Sequence, residues 1–344
     1  MVSPLTLLLN TVLAASGFAF VCAPPTPTAR QDLLDAALPD YHKLEEGVDG
    51  TLKSMGSDTM NNLMTLWAEG FLAQYPNVRI EIEGKGSSTA PPALISGTAS
   101  FGPMSRTMKA KEIDDFEKKF GYKPHLLRTG IDMLAMYVHK DNPIQGLSLA
   151  QVDAIFSKTR KGGATKDIAT WGDLGLTGDW ANKPISLYGR NSASGTYGVF
   201  KDTALFGGDY KDSVKEQPGS SSVVQGVASD RFGVGYSGVG YRTADVKAVP
   251  LAFEAAEFVA AEDKNAYTGE YPLSRFLYVY INYKPGTQLQ PLHEEFIRYV
   301  FSKAGQRDVL KDGYYPVTAT MALEELANLG LTPRPAKPPA ARPD

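Results

Sequence analysis

Apolar residues recur along this chain in two rhythms that alternate. Val78-Arg79-Ile80-Glu81-Ile82 has period two, which predicts a strand with one buried face. Met60, Leu63, Met64, Trp67, Phe71 and Tyr75 recur at helical spacing, and Pro76 stops that helix. Leu134 to Val138 and Phe276 to Ile281 are short, wholly apolar or aromatic runs of the kind that form buried strands. Pro184 to Tyr188 is strand-like, and Tyr197 to Lys201 is helix-like. From about residue 45 to about 330 the two patterns keep alternating, which predicts an α/β fold with largely parallel sheets. In such sheets ligands sit at the carboxyl ends of strands, beside helix N-termini.

The two ends depart from this rhythm. Leu5 to Phe20 is almost all apolar and runs into Val21-Cys22-Ala23 and then a Pro-rich stretch. This pattern predicts a secretory signal peptide over residues 1–23, cut after Ala23, although no Lys or Arg precedes the apolar run. Lipid attachment at Cys22 and a retained helix are the rival readings. A Pro-rich segment at 24–44 and a Pro-rich tail at 331–344 are expected to be extended, the tail disordered. Export would place the chain in the periplasm or outside the cell.

Composition narrows the partners. The 344 residues carry 35 Lys and Arg against 38 Asp and Glu, for a net charge of −3. That length suggests about two domains. The near-neutral balance excludes a nucleic acid held by bulk charge, so any bound anion needs a local site. Cys22 is the single cysteine, so no intramolecular disulfide and no Cys-based metal site is available. His42, His125, His139 and His293 are scattered without metal spacing.

The chemistry-bearing residues lie where strands hand over to helices. Four junctions are rich in Gly, Ser and Thr: residues 54–59 (SMGSDT), 83–89 (EGKGSST), 101–107 (FGPMSRT) and 189–200 (GRNSASGTYGVF). The last two carry Arg106 and Arg190. A helix N-terminus offers unpaired N–H groups and a partial positive charge of about half a unit. Hydroxyls add donors, Gly permits close approach, and Arg adds a planar fork suited to phosphate or carboxylate. Ser, Thr and Asp at a helix start are also ordinary N-caps, so one junction alone says little.

Taken together, these junctions resemble those of the PstS-type phosphate-binding proteins of bacterial phosphate ABC transporters. Arg190, Ser194, Gly195 and Thr196 match the R-x-x-x-S-G-T signature loop, and residues 56–59, 86–88 and 101–106 match the other three loops in order. Residues 152–156 (VDAIF), 171–174 (WGDL) and 235–237 (GYS) also fit. The resemblance implies a type II periplasmic binding protein fold, with two α/β lobes joined by a hinge and the ligand in the cleft. Lobe 1 would comprise residues 45–130 plus 275–330, and lobe 2 residues 131–274. It implies inorganic phosphate as ligand, a membrane permease of an ABC importer as partner, a monomer, and no catalysis, cofactor or metal. By position, the binding residues would be Asp58, Thr59, Ser87, Ser105, Arg106, Arg190, Ser194, Gly195 and Thr196. Many members have Asp where Ser105 stands, to accept the proton that phosphate retains and sulfate lacks. Another carboxylate must then do so here, Asp58 first and Asp132 second; a turn or salt-bridge role is the other reading of Asp132.

Two local motifs mislead. Residues 233–238 (GVGYSG) fit G-x-G-x-x-G but lack a following helix, and residues 84–87 (GKGS) lack the spacing of a phosphate-binding P-loop. No Ser-His-acid motif is visible. A binding protein for another tetrahedral oxyanion such as sulfate, and an enzyme acting on phosphate esters, remain the alternative functions.

Overall fold

A computed structural model describes residues 31–253 and 257–336. The expected signal peptide at 1–23, with the possible lipid site Cys22, lies outside the described residues, as do 24–30 and 337–344.

The strands are β1 (Gly50–Met55), β2 (Val78–Glu83), β3 (Phe101–Met104), β4 (His125–His139), β5 (Leu147–Ser148), β6 (Ser186–Arg190), β7 (Lys215–Gln217), β8 (Gly233–Gly238), β9 (Val246–Val249), β10 (Leu251–Ala252) and β11 (Ser274–Ile281). The α-helices are α1 (Asn61–Leu72), α2 (Ala90–Ser96), α3 (Ala110–Phe120), α4 (Leu149–Phe156), α5 (Gly195–Thr203), α6 (Ser220–Ser229), α7 (Pro291–Val300), α8 (Lys303–Lys311) and α9 (Ala319–Asn328). Helix α1 ends one turn earlier than its apolar spacing predicts. Tyr75 lies just beyond it, with its hydroxyl donating to Glu295 at 2.6 Å.

The strands join in the order β2-β1-β3-β11-β4-β8-β6-β7, with β9 also pairing β4. The sheet is mixed, where the alternation of elements predicted a largely parallel one. β1 is parallel to β2 and β3, and β6 is parallel to β7 and β8. The two halves are joined by β4 and β11, which run antiparallel to each other and to β8 and β3 respectively. Alternating patterns report a strand's burial, not the direction in which the chain re-enters a sheet.

β4 is 15 residues long and changes partners midway. It pairs with β11 up to Met133↔Ser274 and with β8 from Leu134↔Gly238 onward. The apolar core divides at the same place. One cluster gathers residues between 131 and 273 together with Tyr315, around Trp171, Tyr137 and Phe156. Apart from a small third cluster around Phe116 and Met104, the other gathers residues 38–127 and 277–331, around Trp67, Phe71 and Phe296. Each holds enough large side chains to form a core in its own right.

The end of the described chain is held in place rather than disordered from 331. Leu331 is buried, and the Arg334 guanidinium donates to the His42 carbonyl and to Glu295, itself 1% exposed. A buried carboxylate needs a cation and donors, and Tyr41, Tyr75 and Arg334 supply them. Among the described residues, no helix is long and apolar enough to cross a membrane.

Candidate functional site

All four junctions meet at the interface between the two core clusters. β1 feeds a 3-10 turn, Asp58–Met60, that opens α1. β2 feeds a second such turn, Ser87–Thr89, that opens α2. β3 delivers Ser105, and β6 delivers Arg190 ahead of α5. Gly86 has φ of 111°, a left-handed conformation that a side chain would strain, and a Cβ there would lie 2.6 Å from the Ala193 carbonyl oxygen. The second and fourth junctions therefore touch backbone to backbone, with Ser88 N donating to Ala193 O at 3.1 Å.

Hydroxyls from opposite sides converge there. Thr59 Oγ1 lies 2.8 Å from Thr196 Oγ1 and 3.5 Å from Ser220 Oγ. Ser87 Oγ lies 3.3 Å from Ser105 Oγ and accepts the Ser105 N–H at 3.0 Å. Both serine oxygens press on the first residue of α5: a Cβ on Gly195 would stand 2.4 Å from Ser87 Oγ and 2.7 Å from Ser105 Oγ. All five of these hydroxyl-bearing residues are buried. Tyr241 and Tyr314 hold the first junction from behind. Their hydroxyls donate to the Asp58 and Thr59 carbonyls at 3.0 and 2.8 Å respectively.

Arg190 is 1% exposed. Its Nη1 donates to Ser220 Oγ at 2.6 Å, and its Nη2 lies 3.2 Å from Asp58 Oδ2. Burial lowers its pKa and the Asp58 carboxylate opposes that shift. Its Nε, buried as well, has no hydrogen-bond partner among the described residues. Such a donor needs an acceptor. Asp58 Oδ2 also accepts the Ser220 N–H at 2.8 Å, so a residue of the first junction receives the first N–H of α6.

The structure thus gathers Asp58, Thr59, Ser87, Ser105, Arg190, Gly195 and Thr196. Three other expected residues stand differently. Ser194 caps α5, its Oγ accepting Thr196 N–H at 3.1 Å and Tyr197 N–H at 3.4 Å, which is the ordinary role of a serine at a helix start. Arg106 turns its fork onto Glu112, with both contacts at 2.7 Å, and donates to Ser88 Oγ at 3.1 Å. Burial pushes the Glu112 pKa up, but the Arg106 pair and the Lys109 N–H outweigh it and hold the carboxyl below its usual range. Asp132 is fully buried, paired with Arg275 at 2.7 Å and accepting Val239 N–H at 3.1 Å. It borders the site through Arg275, whose Nη2 donates to Thr196 Oγ1 at 2.9 Å.

Ser220 and Arg275 escaped the sequence reading. Ser220 had a signal, since residues 218–222 (PGSSS) form a fifth Gly- and Ser-rich junction between β7 and α6. Arg275 sits at the start of the apolar run 276–281 with no local motif. Among the described residues, no group of three or more His, Cys, Asp or Glu could hold a metal ion.

A cradle of hydroxyls, helix starts and one deeply buried guanidinium suits a small oxyanion. The PBP superfamily domain matches residues 43–304. The phosphate-binding protein PstS of Pseudomonas aeruginosa is 56% identical over 313 residues, covering 91% of this chain and 97% of that protein. The chain belongs to the PstS family. A substrate-binding protein assigned to a phosphate ABC transporter of Clostridium perfringens, solved with bound phosphate, superposes on this PstS-family chain with a TM-score of 0.66 at 25% identity, over 78% of this chain and 100% of that one. An ABC-type phosphate transport receptor of Vibrio cholerae shares the fold, with a TM-score of 0.60 at 21% identity over 77% and 100% of the two chains. The two-lobed type II binding-protein architecture is therefore that of this chain.

Proposed function

We propose that this chain captures inorganic phosphate between its two halves and hands it to the membrane permease of an ABC importer. The relatives' names point to phosphate. The observation that carries the reading is the convergence of Thr59, Ser87, Ser105, Thr196 and Ser220 hydroxyls with the buried Arg190 fork. No covalent chemistry is involved: PstS proteins bind and release. Phosphate is held by exchange of its hydration for fixed donors in a site where low dielectric strengthens each hydrogen bond.

Lobe 1 is taken as residues 45–130 plus 275–330 and lobe 2 as 131–274, with the hinge where β4 and β11 cross. The separation of the two apolar clusters supports this division. Anion binding would draw the lobes together, since its donors come from both. Asp58 is the acceptor for the proton on phosphate. Both oxygens of Asp132 are already engaged by Arg275 and the Val239 N–H, whereas the Arg190 and Ser220 N–H contacts to Asp58 both fall on Oδ2. Export into the periplasm, directed by residues 1–23, would complete the role. Calorimetry with phosphate, then sulfate in competition, tests the assignment. Saturable phosphate binding that excess sulfate leaves intact is expected; sulfate binding of equal strength would overturn it.

A further inference from the structure

We propose that Arg275 is a positioning residue that couples anion capture to lobe closure. The inference rests on the phosphate-receptor reading and adds to it a residue outside the four junctions. Arg275 lies on β11 directly opposite Asp132 of β4, where the two strands cross between the core clusters. Asp132 Oδ2 accepts its Nε at 2.9 Å and its Nη2 at 2.7 Å, which fixes the plane of the fork. Within that plane Nη1 donates to the Ser105 carbonyl at 3.0 Å, and Nη2 donates to Thr196 Oγ1 at 2.9 Å. One rigid group therefore touches the strand crossing, a junction of lobe 1 and a helix start of lobe 2. Its side chain is 6% exposed and that of Asp132 is 0% exposed, so water does not screen these contacts.

Two consequences follow from donor chemistry. Arginine has no acceptor, so Thr196 Oγ1 must accept from it. The Thr196 proton is then directed away from Arg275, toward Thr59 Oγ1 at 2.8 Å or toward an anion beside the pair. Arg275 thus turns Thr196 into a committed donor, which suits an oxyanion that only accepts. The second consequence is mechanical. The guanidinium is planar and pinned to the hinge strands, so it cannot hold Ser105 and Thr196 together once the lobes separate. Its cross-lobe bonds belong to the closed state and slow reopening.

The test measures phosphate binding by calorimetry and phosphate release by stopped flow. Arg275→Lys keeps the charge beside Asp132 but not the fork. Asp132→Asn combined with Arg275→Met removes both charges and leaves no buried ion unpaired. Expected for each is a dissociation rate faster by about tenfold or more, the loss of one charge-assisted hydrogen bond, with the association rate within about threefold and full stoichiometry. Thr196→Val combined with Arg275→Lys should cost less than the sum of the two single losses, because part of each loss is the bond the two residues share. Dissociation unchanged in both variants, or reduced stoichiometry with an unchanged rate, would assign Arg275 a structural role and overturn the inference. If Arg275→Lys does not fold, the double variant decides. A wild-type chain that binds no phosphate would fell the receptor reading and this inference together, whereas tight wild-type binding with unaltered variants fells this one alone.

Discussion

Replacing Gly195 with Ala puts a single methyl group where the two halves meet. That Cβ would lie 2.4 Å from Ser87 Oγ, 2.7 Å from Ser105 Oγ and 3.0 Å from Ser87 Cβ. Comfortable contact needs about 3.5 Å, so both hydroxyls must withdraw by most of an ångström or the lobes must part. Either way the anion loses two hydroxyl donors. Hydrogen bonds to charged groups contribute about 1.5–3 kcal/mol each, so the expected loss is roughly 3–6 kcal/mol, or between about a hundredfold and ten-thousandfold in Kd. Helix propensity works in the opposite direction. Gly195 opens α5 with an ordinary negative φ, so Ala there does not strain the backbone. Gly198, in the same helix, is the control: its Cβ would meet the Arg106 side chain at ordinary contact distance, Cδ at 3.5 Å and Nε at 4.0 Å. Gly198→Ala should keep phosphate affinity and raise stability by up to about 1 kcal/mol. Calorimetric Kd with phosphate and thermal melts of both variants form the assay. A Gly195→Ala protein binding phosphate within about threefold of wild type would refute the placement of Ser87 and Ser105 on the ligand.

Asp58→Asn should chiefly erode the preference for phosphate over sulfate, since an amide no longer excludes the fully ionised anion; competition calorimetry reads the ratio, and an intact ratio shifts the role to Asp132. Asp312 gives a pH dependence: burial, then the Asp132 carboxylate, pushes its pKa from 3.8 up to about 7, while the Leu63 N–H opposes the shift. The folded state therefore holds more protons than the unfolded state between those values, so this carboxyl's contribution to stability is greatest below its unfolded pKa and is lost as pH rises toward neutrality. Melts of wild type and Asp312→Asn at pH 5 and pH 8 should differ in slope, and identical slopes would contradict the buried environment. Arg334→Ala leaves Glu295 short of its cation, so Tm should fall by a few degrees with phosphate Kd unchanged, as read by calorimetry and melts; an unaltered Tm would mean that the clasp contributes nothing.

The elements near the site were legible because the site is local. The junctions at 83–89 and 189–200 follow strand-like stretches, those at 54–59 and 189–200 lead into helical spacing, and all four carry Gly, Ser and Thr, each signal lying within about a dozen residues. What the sequence could not display were the relations between distant segments. The antiparallel entry of β4 and β11 depends on which edge each strand meets, and the apolar runs 134–138 and 276–281 carry no mark of it. The partner of Arg106 is Glu112, six residues away, visible in principle as a carboxylate in the first turn of α3. Likeness to an anion-binding loop favoured the ligand over that neighbour. Ser194 shows the reverse: the commonplace reading of a serine before a helix describes its hydroxyl, which caps α5.

The charges around the cradle explain why hydroxyls matter more than cations here. Arg190 faces Asp58, Arg275 faces Asp132 and Arg106 faces Glu112, so each guanidinium at or beside the site has a carboxylate of its own. Three fixed positive charges left unpaired in so buried a place would be costly, and they would attract any anion. Paired, they contribute direction instead of net charge. Arg190 gives a hydrogen to Ser220 Oγ, and Arg275 gives one to Thr196 Oγ1. Both hydroxyls must then point their own protons elsewhere. A nearly neutral site with oriented donors rejects an ion that cannot arrange its acceptors to match, however highly charged it is. Such a site is compatible with a chain whose net charge is −3.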